Sequence, residues 1–256
     1  MFTPENELER SLIKASTDPA ERPRFYQVLA AANVFVITPG VVPAEAEATT
    51  LAPGTLLNLS MIEFGGKSCI AFFSSLTRLQ AILQSEVGYI QTNALALLKI
   101  TKDTPLVLNP GSEYGKEFTP EEVASIVNGT VGQTTVHTTE RPTEVLLGQP
   151  KDYPQEMVDT LIRLFRGLPE VERAYLAQIH DTAQATPPHA LIGIAVSSDW
   201  DKVLAQTGLV AQQVSFPNPP LDIIRIGSGE SLDSYLLTTK PFYQRAWLSH
   251  IFGGKR

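Results

Sequence analysis

The chain has 256 residues, 43% of them hydrophobic and 18% charged, with 19 Pro and 17 Gly. That is the composition of a globular protein with many turns, which excludes disorder, collagen and coiled coil as global descriptions, and the length favours two domains over one. Twenty Lys and Arg against 27 Asp and Glu leave a formal net charge of -7, so no basic excess exists to neutralise phosphates or anionic lipid, and neither nucleic acid nor a membrane is an expected partner.

Thr3 before Pro4, and Asp18 before Pro19 with Glu21 following, read as two helix starts. The opening MFTPENELERSLIKAS interleaves charges with Leu8, Leu12 and Ile13, the pattern of an amphipathic helix and not of a secretory leader. The second helix is expected from Pro19 to Ala32, with Phe25, Val28, Leu29 and Ala32 on its core face, followed by a buried strand from Val34 to Ile37. Pro39 to Gly54, rich in Pro and Gly, reads as an exposed loop.

Leu56 to Phe64 and Ser68 to Phe73 are strand-like runs around Gly65, Gly66 and Lys67, the spacing of a hairpin. Leu76 to Leu83 and Thr92 to Lys99 carry helical patterns, and Pro105 to Leu108 is a short buried strand. The loop Asn109 to Phe118 leads into a helix capped by Thr119, with Pro120 in its first turn, Glu122 as the capping-box partner and Gly129 beyond its end. The Thr-rich, aperiodic stretch from Thr130 to Pro142 places a domain boundary near residue 142, giving domains 1–142 and 143–256.

The second half reads helix, strand, strand, helix, strand, helix: Pro154 to Gly167, Ala174 to His180, His189 to Val196, Asp201 to Ala205, Leu221 to Ile226 and Ser231 to Leu237. The fold class that follows is α+β, with two tandem domains that each pack helices against a small mixed sheet.

Cys69, the single cysteine, lies in the apolar run Ser68 to Phe73, where burial raises a thiol pKa and makes it inert. A structural role is expected, in a chain suited to a reducing, cytoplasmic setting. His137, His180, His189 and His250 have no compact ligand spacing, so no metal site is expected. His180 and His189 would face each other across a hairpin, with Asp181 placed to orient an imidazole. Gly227-Ser228-Gly229 imitates a phosphate loop, but Leu232 replaces its third glycine, and Glu230 and Asp233 would repel the phosphate. The best ligand-loop candidate is Asn109 to Phe118, which offers backbone amides, Asn109, Ser112, Tyr114 and Lys116 between a strand and a helix. No catalytic residue and no cofactor are assigned from these residues.

Taken together, several segments are similar to one family. Leu106 to Glu122, LVLNPGSEYGKEFTPEE, resembles the signature of the bacterial enhanced serine sensitivity family, SseB. Ala71 to Leu79 (AFFSSLTRL), Leu8 to Ala15 and Arg22 to Leu29 support the resemblance. Val145 to Pro150 (VLLGQP), Pro187 to Ile194 (PPHALIGI) and Ser231 to Tyr243 (SLDSYLLTTKPFY) resemble the family's C-terminal domain. The resemblance implies a bacterial, cytoplasmic, two-domain protein linked to serine tolerance, and brings with it no reaction, cofactor or catalytic set.

Three functions are consistent with these readings. The first is a non-catalytic binding or regulatory protein whose loop meets a protein partner or a small amino-acid-like ligand. The second is an enzyme acting on an amino or oxo acid in a cleft between the domains, using Ser112, Tyr114 and Lys116 with His180 or His189 as general base. The third is self-association into a homodimer through Ala71 to Phe73 or through Pro241 to Phe252, with Trp247 and Phe252.

Overall fold

The computed structural model describes residues 2–40, 58–83, 87–101, 103–131, 145–182, 187–227 and 231–246. Most of the Pro39 to Gly54 loop, the stretch holding the boundary near residue 142, His137, His250, Ser228, Gly229, Trp247 and Phe252 lie outside the described residues. The chain divides into two compact units, Met1–Val131 and Gly132–Arg256. Each has its own mixed sheet with helices packed against it, which is the expected α+β class. Among the described residues, no helix is long and apolar enough to cross a membrane.

The first unit opens with helix α1 (Glu7–Thr17), capped by Asn6 and not by Thr3. The Asn6 side chain accepts the Glu9 N–H at 3.0 Å, so the helix starts three residues after the proline that suggested an earlier start. Asp18 caps a 3-10 turn, Pro19–Glu21, which runs into α2 (Arg22–Ala31). Strand β1 (Asn33–Thr38) follows. The hairpin of β2 (Met61–Phe64) and β3 (Lys67–Phe73) turns at Gly65 and Gly66, with φ of 59° and 75°. Two successive left-handed residues give the tight primed turn whose twist matches paired strands.

Helix α3 (Leu76–Gln80) is shorter than expected. Thr92 and Asn93, expected in a helix, instead end strand β4 (Gly88–Asn93), and Asn93 caps α4 (Ala94–Ile100) by accepting the Ala96 N–H. Strand β5 (Leu106–Leu108) and β6 (Lys116–Phe118) flank the loop at 109–115, and α5 (Pro120–Asn128) starts at Thr119 and ends at Gly129, φ 69°. The sheet order is β4-β1-β3-β5-β6 with β2 on β3, and β3 and β5 run parallel. Alternation along the strands separates two cores. Val34, Val36, Ile70 and Phe72 pack with α1, α2, α4 and α5, while Phe35, Ala71 and Phe73 pack with Leu76 and Leu79 of α3.

The second unit contains β7 (Val145–Gly148), α6 (Gln155–Arg166), β8 (Val171–Asp181), β9 (His189–Val196), α7 (Trp200–Ala211), β10 (Leu221–Arg225), α8 (Ser231–Thr238) and β11 (Tyr243–Gln244). Its sheet runs β10-β9-β8-β11, with β7 on β8 and with β9 and β10 parallel. Helix α8 lays Leu236 on Tyr175, Ile179 and Leu191. A Cβ at Gly193 would come within 2.6 Å of Leu236 Cδ1, so the bare glycine is what lets this helix sit close. Helix α7 runs through Ala211, well past the expected end at Ala205, because Leu209 and Val210 are also buried.

Candidate functional site

The parallel strands β3 and β5 both run toward one end of the first sheet, and polar residues gather where they stop. Crevices outside the carboxyl ends of parallel strands are the recurrent binding location of open α/β sheets. Ser74 and Ser75 follow β3, and Asn109 follows β5. Asn109 is buried and left-handed, with φ 50°. Its side-chain oxygen accepts the Ser74 N–H at 2.9 Å, its amide donates to Ser74 Oγ at 2.8 Å, and its own N–H donates to the Phe72 carbonyl at 2.9 Å. The residue therefore ties the ends of two neighbouring strands together. A Cβ at Gly115 would lie 2.8 Å from the Asn109 carbonyl oxygen, so the loop closes at its base only because position 115 has no side chain.

Beneath the serines lies a charged group that sequence reading passed over. Glu9, on the buried face of α1, is fully enclosed at 0% exposure. Its carboxylate accepts Ser74 Oγ–H at 2.7 Å, Ser75 Oγ–H at 3.1 Å and the Glu5 N–H at 2.8 Å. Arg78 of α3 adds two hydrogen bonds, from Nε at 3.1 Å and Nη2 at 3.0 Å. Burial works against the charged form of Glu9, but the Arg78, Ser74 and Glu5 hydrogen bonds outweigh it and hold the carboxyl below its ordinary value. The only sequence signal was a glutamate inside the Leu8, Leu12, Ala15 stripe; Arg78 is 69 residues away.

Next to these residues is an open groove of about 690 Å³, lined by both helix and sheet. Leu8, Val28, Ala31, Ala32, Phe35 and Leu76 line it together with Asn6, Asn33 and Gln91, and Ser74 and Ser75 follow β3 on the same lining. Glu5 and Glu7 form an acidic rim. Glu7 is already paired with Arg10 at 3.1 Å and Arg24 at 3.0 Å, whereas Glu5 has no ion pair among the described residues.

The remaining loop candidates have other partners. Ser112 donates its backbone N–H to the Asn109 carbonyl. Tyr114 packs on the first core and meets the Phe2 ring edge-on. Lys116 Nζ bonds Glu122 Oε1 at 2.9 Å and sits 4.9 Å from the Phe118 ring centre. The Tyr26 hydroxyl donates to the same carboxylate oxygen, and burial together with Glu122 pushes its pKa upward. Thus Asn109 and Lys116, close in sequence, belong to two separate polar clusters.

In the second unit, His180 and His189 do not face each other. His189 is paired with Ile179 across β8 and β9, while His180 is paired with Leu146 of β7. Neighbouring residues on a strand point to opposite faces, so the two imidazoles leave opposite sides of the sheet. His189 is buried, with Nδ1 3.0 Å from the Pro187 carbonyl and Nε2 3.0 Å from Asp222 Oδ2. The orienting carboxylate is Asp222, not the expected Asp181, because β10 runs parallel to β9 and sets Asp222 beside Leu191. The crevice at this ring holds only about 10 Å³, room for a single water.

Cys69 is buried, and its thiol is pushed up by desolvation and by Glu117 and Glu63, which matches a structural role. Among the described residues, no three His, Cys, Asp or Glu side chains converge as a metal would need.

Residues 8–125 match the family model described as SseB protein N-terminal domain, and residues 139–245 match the one described as SseB protein C-terminal domain. The chain is also similar to Protein SseB of Escherichia coli (strain K12), at 32% identity over 252 residues, covering 96% of this chain and 95% of that protein. Protein SseB of Shigella flexneri matches at the same identity and coverage. No solved structure matches. With both domain models in tandem and relatives aligned over almost the whole length, the chain belongs to the SseB family.

Proposed function

We propose that this chain is a non-catalytic binding protein whose first unit holds a segment of a protein partner in the groove beside Ser74 and Ser75, and that through this partner it contributes to bacterial serine tolerance. The observation that carries the reading is the groove itself. Its volume of about 690 Å³ leaves room for a ligand of many atoms, and Leu8, Val28, Ala31, Ala32, Phe35 and Leu76 give it an apolar side beside the polar Asn6, Asn33, Ser74, Ser75 and Gln91. A free amino acid would set two charged ends against Leu8, Ala31 and Phe35, which is unfavourable. Several side chains of a protein segment suit such a surface better, with a basic residue opposite Glu5. In support, the polar groups that a reaction would recruit are engaged elsewhere: Asn109 with Ser74, Lys116 with Glu122, and His189 with Asp222. The family link to serine tolerance comes from the resemblance and sets the biological setting.

Ala31 is an exposed residue on the groove wall, so Ala31→Trp fills the groove while leaving the core intact. Affinity capture with the wild-type chain and with Ala31→Trp should recover the same partner only with the former. A parallel thermal-shift titration against serine, related amino acids and oxo acids should give no saturable stabilisation, since a native-state ligand raises stability by RT ln(1 + [L]/Kd). Turnover of an amino or oxo acid that disappears on Lys116→Ala would overturn the proposal in favour of an enzyme.

A further inference from the structure

Phe2 and Thr3 lie on the first unit in the manner of a bound peptide. The Arg78 guanidinium carbon stands 3.7 Å from the centre of the Phe2 ring, and Tyr114 meets that ring edge-on at 5.1 Å. The Phe2 backbone N–H donates to Glu113 Oε2 at 3.0 Å, and Arg78 Nη2 donates to the Thr3 carbonyl. An aromatic side chain, a backbone donor and a backbone acceptor therefore each meet a separate partner. These are the features by which protein surfaces read extended segments.

Two of the partners, Arg78 and Tyr114, are held by contacts that do not involve Phe2 or Thr3. Arg78 is fixed by its paired hydrogen bonds to the enclosed Glu9. Tyr114 packs on the first core, and Glu113 stands on the loop closed between Asn109 and Gly115. Because Glu9 neutralises Arg78, Glu113 supplies the remaining charge at this place.

We propose that Arg78, Glu113 and Tyr114 form a peptide-recognition seat, occupied in cis by Phe2-Thr3, that takes an extended segment bearing an aromatic residue from a partner protein. The arm is then an internal competitor. A segment tethered this closely acts at an effective concentration on the order of 1 mM, so a partner must displace it. Removing the Phe2 ring weakens that competition, leaving only the two backbone hydrogen bonds, without substituting any residue of the seat.

The test uses the full chain and a synthetic peptide, MFTPENEL, carrying a fluorophore at its C-terminal end, read by fluorescence anisotropy. The Phe2→Ala chain is expected to bind the peptide saturably and about tenfold more tightly than the wild-type chain. Glu113→Ala, at an exposed position that leaves the core untouched, and Tyr114→Ala should each weaken binding to the Phe2→Ala chain by about tenfold. The same peptide with alanine in place of its phenylalanine should not bind. Absence of saturable binding to Phe2→Ala, equal affinity for both chains, or indifference to both seat variants would overturn the proposal. The seat is independent of the groove reading: Ala31→Trp should leave this titration unchanged, so the two can fail separately.

Discussion

Glu9 shows how strongly one enclosed carboxylate depends on its surroundings. Its hydrogen bonds come from two serines, a backbone amide and a paired guanidinium, and they hold its pKa below the ordinary 4.5. A carboxyl whose pKa is lowered by folding adds stability that is fully present above the unfolded value and is lost as the pH falls through the folded one. The wild-type chain should therefore lose stability in urea titrations as the pH drops below about 4.5, and Glu9→Gln should show a flatter acid limb. At neutral pH, Glu9→Gln should cost about 3 kcal/mol, because it leaves Arg78 facing a neutral amide in a nearly enclosed place. A flat acid limb in the wild-type chain would count against this account. Asn109 makes the complementary case for a neutral group. Asn109→Ala should cost about 2 kcal/mol in the same titration, since it strands the Ser74 N–H and places alanine at a positive φ. Asn109→Gly removes the second cost only, so it should be the milder change.

At the scale of elements, what the sequence made legible were those whose state is decided by neighbouring residues. The α5 cap at Thr119, its end at Gly129 and the glycine turn of the β2–β3 hairpin are local chemistry, and all three occur where expected. Gly66→Ala should destabilise the chain by about 1 kcal/mol in thermal melts. No atom lies within 4 Å of the added methyl, so the loss measures the φ of 75° alone. Strands β4, β6, β7 and β11 were missed for the opposite reason. Lys116–Phe118 and Tyr243–Gln244 are too short to show alternation; the strand state of β6 comes from pairing with β5 across the 109–115 loop, and that of β11 from β8, far off in sequence. The candidate site divides in the same way. Asn109 stood out as a polar residue at a strand end, but its partner Ser74 is 35 positions away, and the Glu9–Arg78 pair spans 69. His189 was legible as a strand-end imidazole, while Asp222 depended on the unforeseen parallel pairing of β9 and β10.

For the whole molecule, the two units have separate sheets and separate cores, and each buries enough apolar side chains to form its own cooperative unit. Calorimetry should therefore resolve two unfolding transitions. Leu161 of α6 is fully buried, and Leu161→Ala should lower one transition by about 3 kcal/mol while the other stays in place. A single transition shifting as a whole would show that the units unfold together.

The closure between Asn109 and Gly115 has a consequence for how this scaffold can change. Pro110 to Tyr114 rise from a base fixed by one asparagine side chain and one absent methyl group, but Pro110 is buried, Gly111 holds a φ of 72° and Tyr114 packs on the first core. Of the five, Ser112 and Glu113 carry none of these constraints. A lineage, or an engineer, could rewrite the loop's specificity at those two positions while the sheet, its register and the enclosed glutamate stayed as they are.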